Sequence, residues 1–91
     1  MNNLRTIFSK NLKYYRIKES LRQEDLAEKI GLTDKYISDL ERSKFSPSLE
    51  TIEKLANALN ITADILLKDD KTLEITITRI DEKTGTRKRK Y

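Results

Sequence analysis

Asp34, Lys35, Ser38 and Asp39 are spaced so that one side of a short helix would carry all four, and Arg42, Ser43, Lys44 and Ser46 follow close behind. Side chains of these types donate and accept hydrogen bonds and carry charge, which suits them to holding a polar surface. Bond-making chemistry finds fewer actors. The chain contains no His and no Cys, which removes the commonest general base and metal ligand and every thiolate nucleophile or disulfide. Carboxylates alone would have to do acid–base work, no spaced pair of them stands out from the solvated helix faces, and the Ser and Tyr residues have no evident base. An enzyme is therefore not expected, and neither is a metal site or a cofactor.

The chain has 91 residues, 36% of them hydrophobic and 37% charged. That length allows one small domain with an extension, and the composition lies above the disordered regime. The net charge is +4, and its distribution is uneven. Arg5, Lys10, Lys13, Arg16 and Lys18 stand in the first eighteen residues with no acid among them, whereas acids outnumber bases from residue 19 to 67. A second basic run, Arg87, Lys88, Arg89 and Lys90, lies at the other end. Basic surface of this kind suits a polyanionic partner, and it also simply solvates small helical domains and tails. The longest apolar run, Ile65, Leu66 and Leu67, is far below the ~20 residues that span a bilayer. The opening MNNLRTIFSKN has no apolar signal core. A cytoplasmic location and no membrane association are expected.

Five helices can be placed to position the polar groups. Leu4, Ile7, Phe8, Leu12 and Tyr15 recur at helical spacing over residues 4 to 18. Gln23, Glu24 and Asp25 open a second helix, with Leu26, Ala27 and Ile30 on its apolar side and Gly31 as a left-handed stop. Thr33 can cap a third, in which Tyr36, Ile37 and Leu40 face inward while Asp34, Lys35, Ser38 and Asp39 face away. Pro47 and Ser48 start a fourth, whose Leu49, Ile52, Leu55, Ala56 and Leu59 form the clearest apolar stripe, and Thr62 caps a short fifth through Leu67. The period then changes to two: Leu73, Ile75 and Ile77 alternate with Glu74, Thr76 and Thr78, as in a strand with one apolar face. The DEKTG turn at residues 81–85 could return the chain as a hairpin. The expected fold is mainly α, with a domain at residues 1–67 and a β-strand or β-hairpin extension at residues 68–91.

A helix ending at Gly31, a turn of about three residues and a short helix with a polar outer face form a helix-turn-helix unit, whose second helix enters a DNA major groove. The residues from about 4 to 67 resemble the phage repressor and Cro type of helix-turn-helix domain, the XRE family. The resemblance rests on Arg16, on Gln23, Leu26 and Ala27 in QEDLA, on Gly31, on Ile37, Glu41 and Arg42 in ISDLER, and on Pro47 to Leu49 followed by LANALN.

That resemblance implies roles residue by residue. Lys35, Ser38, Asp34 and Asp39 would contact bases: Lys35 at guanine O6 or N7, an Asp at cytosine N4. Lys35 and Ser38 rank ahead of the two acids, since Asp34 in the first helical turn is already explained by the helix dipole. Gln23 would bond a phosphate beside the free amides of a helix N-terminus. Arg22 stands where the family has a Ser or Thr cap, and a direct phosphate contact would compensate. Arg42, Ser43, Lys44 and Ser46 would touch phosphates, adding affinity without sequence information. Arg16 and Glu41 would form a structural ion pair.

The partner expected from this is double-stranded DNA, read by a sequence-specific transcriptional regulator, with repression as the expected activity. The extension suggests a homodimer engaging two half-sites about 34 Å apart. The alternative keeps the fold as a protein-interaction module, an antitoxin or regulatory adaptor, with residues 73–91 docking a protein partner.

Overall fold

The computed structural model describes residues 3–73. They form five helices: α1 (Leu4–Lys18), α2 (Gln23–Ile30), α3 (Asp34–Glu41), α4 (Leu49–Ala58) and α5 (Ala63–Leu67). Three begin with a side-chain cap on an orphan amide. Asn3 Oδ1 accepts from the Thr6 amide at 2.9 Å, Thr33 Oγ1 from Tyr36 and Ser48 Oγ from Thr51, each at 3.1 Å. Thr62 occupies the cap position of α5, but its side chain makes no capping bond. The Arg22 position is served in reverse: Asp25 accepts from the Arg22 amide at 2.9 Å, the acidic half of a capping box.

The first four helices end alike. In each, the last turn closes with paired backbone bonds of the Schellman type around a left-handed residue. That residue is Ser20 (φ 59), Gly31 (φ 73), Ser43 (φ 62) and Asn60 (φ 60) in turn. After α1, Leu21 donates to the Arg16 carbonyl and Ser20 to that of Ile17, and the same pattern recurs from Leu32 to Ala27, Lys44 to Asp39 and Ile61 to Ala56.

Every helix contributes to one core. Phe8 and Leu12 come from α1, Leu26 and Ala27 from α2, Ile37 and Leu40 from α3, Ile52, Leu55 and Ala56 from α4 and Leu66 from α5, with Leu59 closing the set. α1 packs on α3 and α5, α2 on α3 and α4, and α4 on α5. Leu4 and Leu49, expected on apolar faces, are instead 57% and 82% exposed. Both are first residues of their helices, where the Cα–Cβ bond leans toward the N-terminus and carries the side chain past the edge of the core.

Among the described residues the buried polar ones, Ser9, Asn11 and Arg16, all lie on α1. Ser9 and Asn11 reach the C-terminal ends of α3 and α5, where carbonyls lack intrahelical donors, and Arg16 reaches the Glu41 side chain at the end of α3. The Ser9 hydroxyl lies 2.6 Å from the Leu40 carbonyl and 2.9 Å from that of Arg5. Asn11 Nδ2 donates toward Leu66 and Lys68 at 2.8 and 2.9 Å, with Ile65 at 3.3 Å.

No strand occurs among the described residues, which corrects the reading of Leu73 as the first residue of a β extension. Asp70 Oδ1 accepts from the Thr72 amide at 3.1 Å and the Thr72 hydroxyl at 2.6 Å. This turn, made by an Asp on the backbone two residues on, starts a short helical stretch at residues 72–73 and brings Leu73 (9% exposed) into a small cleft with Ile7 and Asn11. The rest of the expected strand, the hairpin and the basic run lie outside the described residues. No helix among the described residues is long and apolar enough to cross a membrane.

Candidate nucleic-acid interface

The unit formed by α2 and α3 is held by small residues and a tight turn. Ala27 is buried where the helices cross, and Ile37 and Leu40 anchor α3 with no exposure at all. At Gly31 nothing lies within 4 Å of where a Cβ would stand, so it is the left-handed backbone, not crowding, that favours glycine there. Tyr36 continues the inner face, its ring 5.2 Å from that of Phe45 in the α3–α4 loop.

The C-terminus of α3 is tied down by charge. Arg16 Nε meets Glu41 Oε2 at 2.6 Å and Nη2 meets Oε1 at 3.1 Å, with Nη1 donating to the Leu21 carbonyl at 2.8 Å. Both side chains are buried, at 8% and 4% exposure. Gln23 Nε2 donates to the same Glu41 Oε1 at 3.1 Å. Gln23 thus joins the start of α2 to the end of α3, in addition to any contact its position offers a phosphate.

On the outer face, Asp34 and Lys35 are exposed and Ser38 is half-buried. Lys35 Nζ lies 3.2 Å from Asp39 Oδ2, one turn away. Asp39 also holds Arg42 Nη2 at 3.0 Å and Lys44 Nζ at 3.8 Å through Oδ1. Hydrogen bonds from Arg42 and then Lys35 keep the Asp39 carboxyl below the usual range. Two base candidates, Lys35 and Asp39, and two phosphate candidates, Arg42 and Lys44, inferred separately from sequence therefore form one cluster.

The loop after α3 adds Ser43 and Ser46. The Ser43 hydroxyl is buried with no partner among the described residues. Ser46 Oγ accepts from Arg5 Nε at 3.1 Å, bringing the basic start of α1 beside the loop. Arg5 is a candidate contact that sequence reasoning missed. Its place in the basic run was visible, but nothing local relates it to a residue 41 positions away. Arg22, at the N-cap of α2, pairs with Glu24 at 2.7 Å and Asp25 at 3.1 Å, and its side-chain and backbone hydrogen bonds to Asp25 hold that carboxyl below its ordinary range. No group of acidic residues that could hold a metal ion occurs among the described residues.

Comparison with known proteins agrees with this geometry. Residues 12–66 match the family described as Helix-turn-helix. A hypothetical transcription factor of Neisseria meningitidis is 37% identical over 65 residues, which are 71% of this chain and 61% of that protein. The immunity repressor protein of Bacillus phage phi105 is 37% identical over 59 residues, 65% of this chain and 41% of the repressor. The chain thus spans less than two thirds of either relative. The crystal structure of the hypothetical transcription factor NHTF from Neisseria superposes with a TM-score of 0.73 at 34% identity, covering 77% of this chain and 80% of that one. With Arg16, Gln23, Gly31, Ile37 and Glu41 arranged as described, the chain belongs to the XRE family of helix-turn-helix proteins.

Proposed function

We propose that the protein is a sequence-specific double-stranded DNA-binding transcriptional regulator that reads the major groove with α3. The observation that carries this reading is the rigid presentation of the outer face of α3. Ile37 and Leu40 are fully buried beneath it, the Arg16–Glu41 pair fixes its end, and Lys35, Arg42 and Lys44 stand exposed along it. Lys35 and Ser38 are the foremost base contacts, with Asp34 behind them. Arg42, Lys44, Ser46, Gln23 and Arg22 serve the phosphates, joined by Arg5, whereas Ser43, also expected there, has its hydroxyl buried and its amide bonded to the Leu40 carbonyl. The likeness to a phage immunity repressor supports repression as the direction of control. An interaction module draws no support from these relatives.

We further propose a homodimer, because one domain of this size gains affinity by engaging two half-sites. Selection of bound duplexes from a random-sequence pool at fixed salt tests both statements. Enrichment of an inverted repeat is the expected result; no enrichment over a salt-sensitive background would overturn the reading. Light scattering tests the part played by residues 74–91. Truncation after Leu73, which keeps the side chain packed near α1, should halve the mass, and an unchanged mass would remove the extension from the dimer.

A further inference from the structure

Asp39 does not present its carboxylate as a base-reading acid would. Its side chain is only 15% exposed, while the three cations on it, Lys35, Arg42 and Lys44, are 77%, 58% and 54% exposed. One precedes it by a turn on α3, one follows at the helix end, and one lies in the loop. Exposed pairs of this kind each add little stability, so their convergence on one carboxylate is not explained by folding alone. Its larger effect is on the face itself: it cancels one of three positive charges and occupies donors of Lys35 and Arg42, with Lys44 held nearby by charge, using carboxylate oxygens, which are acceptors of the kind a phosphate offers.

We propose that Asp39 is a specificity-determining residue that acts as an internal substitute for a DNA phosphate, holding Lys35, Arg42 and Lys44 until a correctly registered duplex replaces it. The proposal rests on the DNA-binding reading above. On a duplex of arbitrary sequence, moving a cation from Asp39 to a phosphate leaves a carboxylate facing the DNA backbone, and the repulsion offsets the gain. In the correct register, base-edge acceptors engage Lys35 as phosphates engage Arg42 and Lys44, so the exchange is favourable only there. Because the bonds from Arg42 and Lys35 hold the carboxyl below its usual range, the substitute is fully charged at neutral pH.

The test uses the full chain, as wild type, Asp39→Asn and Asp39→Glu, titrated with a random-sequence duplex and with the duplex enriched by selection, over a range of salt. Asp39→Asn should bind the random duplex more tightly, with a salt dependence steeper by about 0.9 for each cation released to a phosphate, which is about eightfold in affinity at 0.1 M salt. Its preference for the enriched duplex should fall by the same factor. Asp39→Glu, which keeps the charge, should not steepen the salt dependence on the random duplex as Asp39→Asn does; a rise equal to that of Asp39→Asn would show that charge is not the cause. Unchanged binding to random duplex, with a loss of about 5- to 150-fold on the enriched one, would make Asp39 a base reader and overturn the proposal. Weakened binding to both duplexes with an intact helical spectrum would overturn it as well. If Asp39→Asn loses its helical dichroism, Asp39→Ser removes the same charge and is read by the same criteria. A wild-type chain that enriches no sequence removes the DNA-binding reading and this proposal together, and that result is seen before any variant is made.

Discussion

The side-chain amide of Gln23 donates to Glu41 Oε1 at 3.1 Å, joining the first residue of α2 to the last of α3. Arg16 reaches the same oxygen from α1, so one carboxylate gathers three helices. A phosphate arriving at Gln23 would meet an amide already oriented from behind. Loss of DNA binding on substitution at Gln23 or Glu41 would accordingly combine a lost contact with a displaced helix.

Glu41→Ala should cost about 3 to 5 kcal/mol, because it leaves the Arg16 guanidinium buried without its counter-charge. Small domains hold only about 5 to 15 kcal/mol in all, so the variant should be largely unfolded on modest heating. Replacing both partners with apolar residues, Arg16→Met with Glu41→Leu, should recover most of the loss. Urea titration of the two variants checks this, and a double variant as unstable as the single one would contradict it.

Asn11→Ala should free the C-terminal carbonyls of α5 from their common donor, at a cost of about 1 to 3 kcal/mol. Hydrogen exchange should quicken in α5 more than in α2 or α3. A uniform change across the helices would show that Asn11 does not act locally.

Gly31→Ala should destabilise by about 1 to 2 kcal/mol, since φ is positive there and an L side chain is strained in that region. The reverse applies at Ser20, which adopts the same conformation with a Cβ. Ser20→Gly should gain roughly 0.5 kcal/mol after the extra chain entropy of glycine is subtracted. Thermal melts of the two variants should move in opposite directions.

Acid should weaken the fold through Asp25, Asp39 and Asp70. Hydrogen bonds from Arg22, from Arg42 and Lys35, and from Thr72 respectively hold these carboxyls below their ordinary values. A group whose value is depressed by folding contributes stability above its unfolded value, about 3.9 for Asp, and loses it as pH falls through the folded value. Urea midpoints should therefore be flat near neutrality and decline below about pH 4, and Asp39→Asn should decline less steeply.

Arg5→Ala should weaken binding to every duplex alike and lower the salt dependence by about one, leaving the enriched sequence unchanged. Lys35→Ala should instead relax the preference at one base pair. Selection repeated with each variant separates the two; a changed consensus for Arg5→Ala would show that it reads bases.

Apolar spacing made all five helices legible, because Phe8, Leu12, Leu26, Ile37, Leu40, Ile52, Leu55 and Leu66 repeat at helical intervals and each is buried. Gly31 announced one helix end, but Ser20, Ser43 and Asn60 adopt the same left-handed geometry without a residue type that demands it. Ser9, Asn11 and Arg5 were silent for another reason: their partners lie in distant segments, and no local pattern points to them. The relation of Lys35 to Asp39 was present in the spacing of four, yet each was assigned to DNA on its own. The two-residue alternation placed Leu73 on a strand, whereas the Asp70 turn puts that one residue in helical backbone against α1; the rest of the alternation lies outside the described residues.

The reach of α1 has a consequence for how that helix is locked in place. Arg16 awaits a carboxylate at residue 41, and Asn11 awaits carbonyls at residues 66 and 68. The polar groups of α1 are therefore satisfied from two places, Arg16 from the end of α3 and Asn11 from a segment 57 residues further along the chain. α1 is thus fully locked only when both α3 and the segment just after α5 are in place.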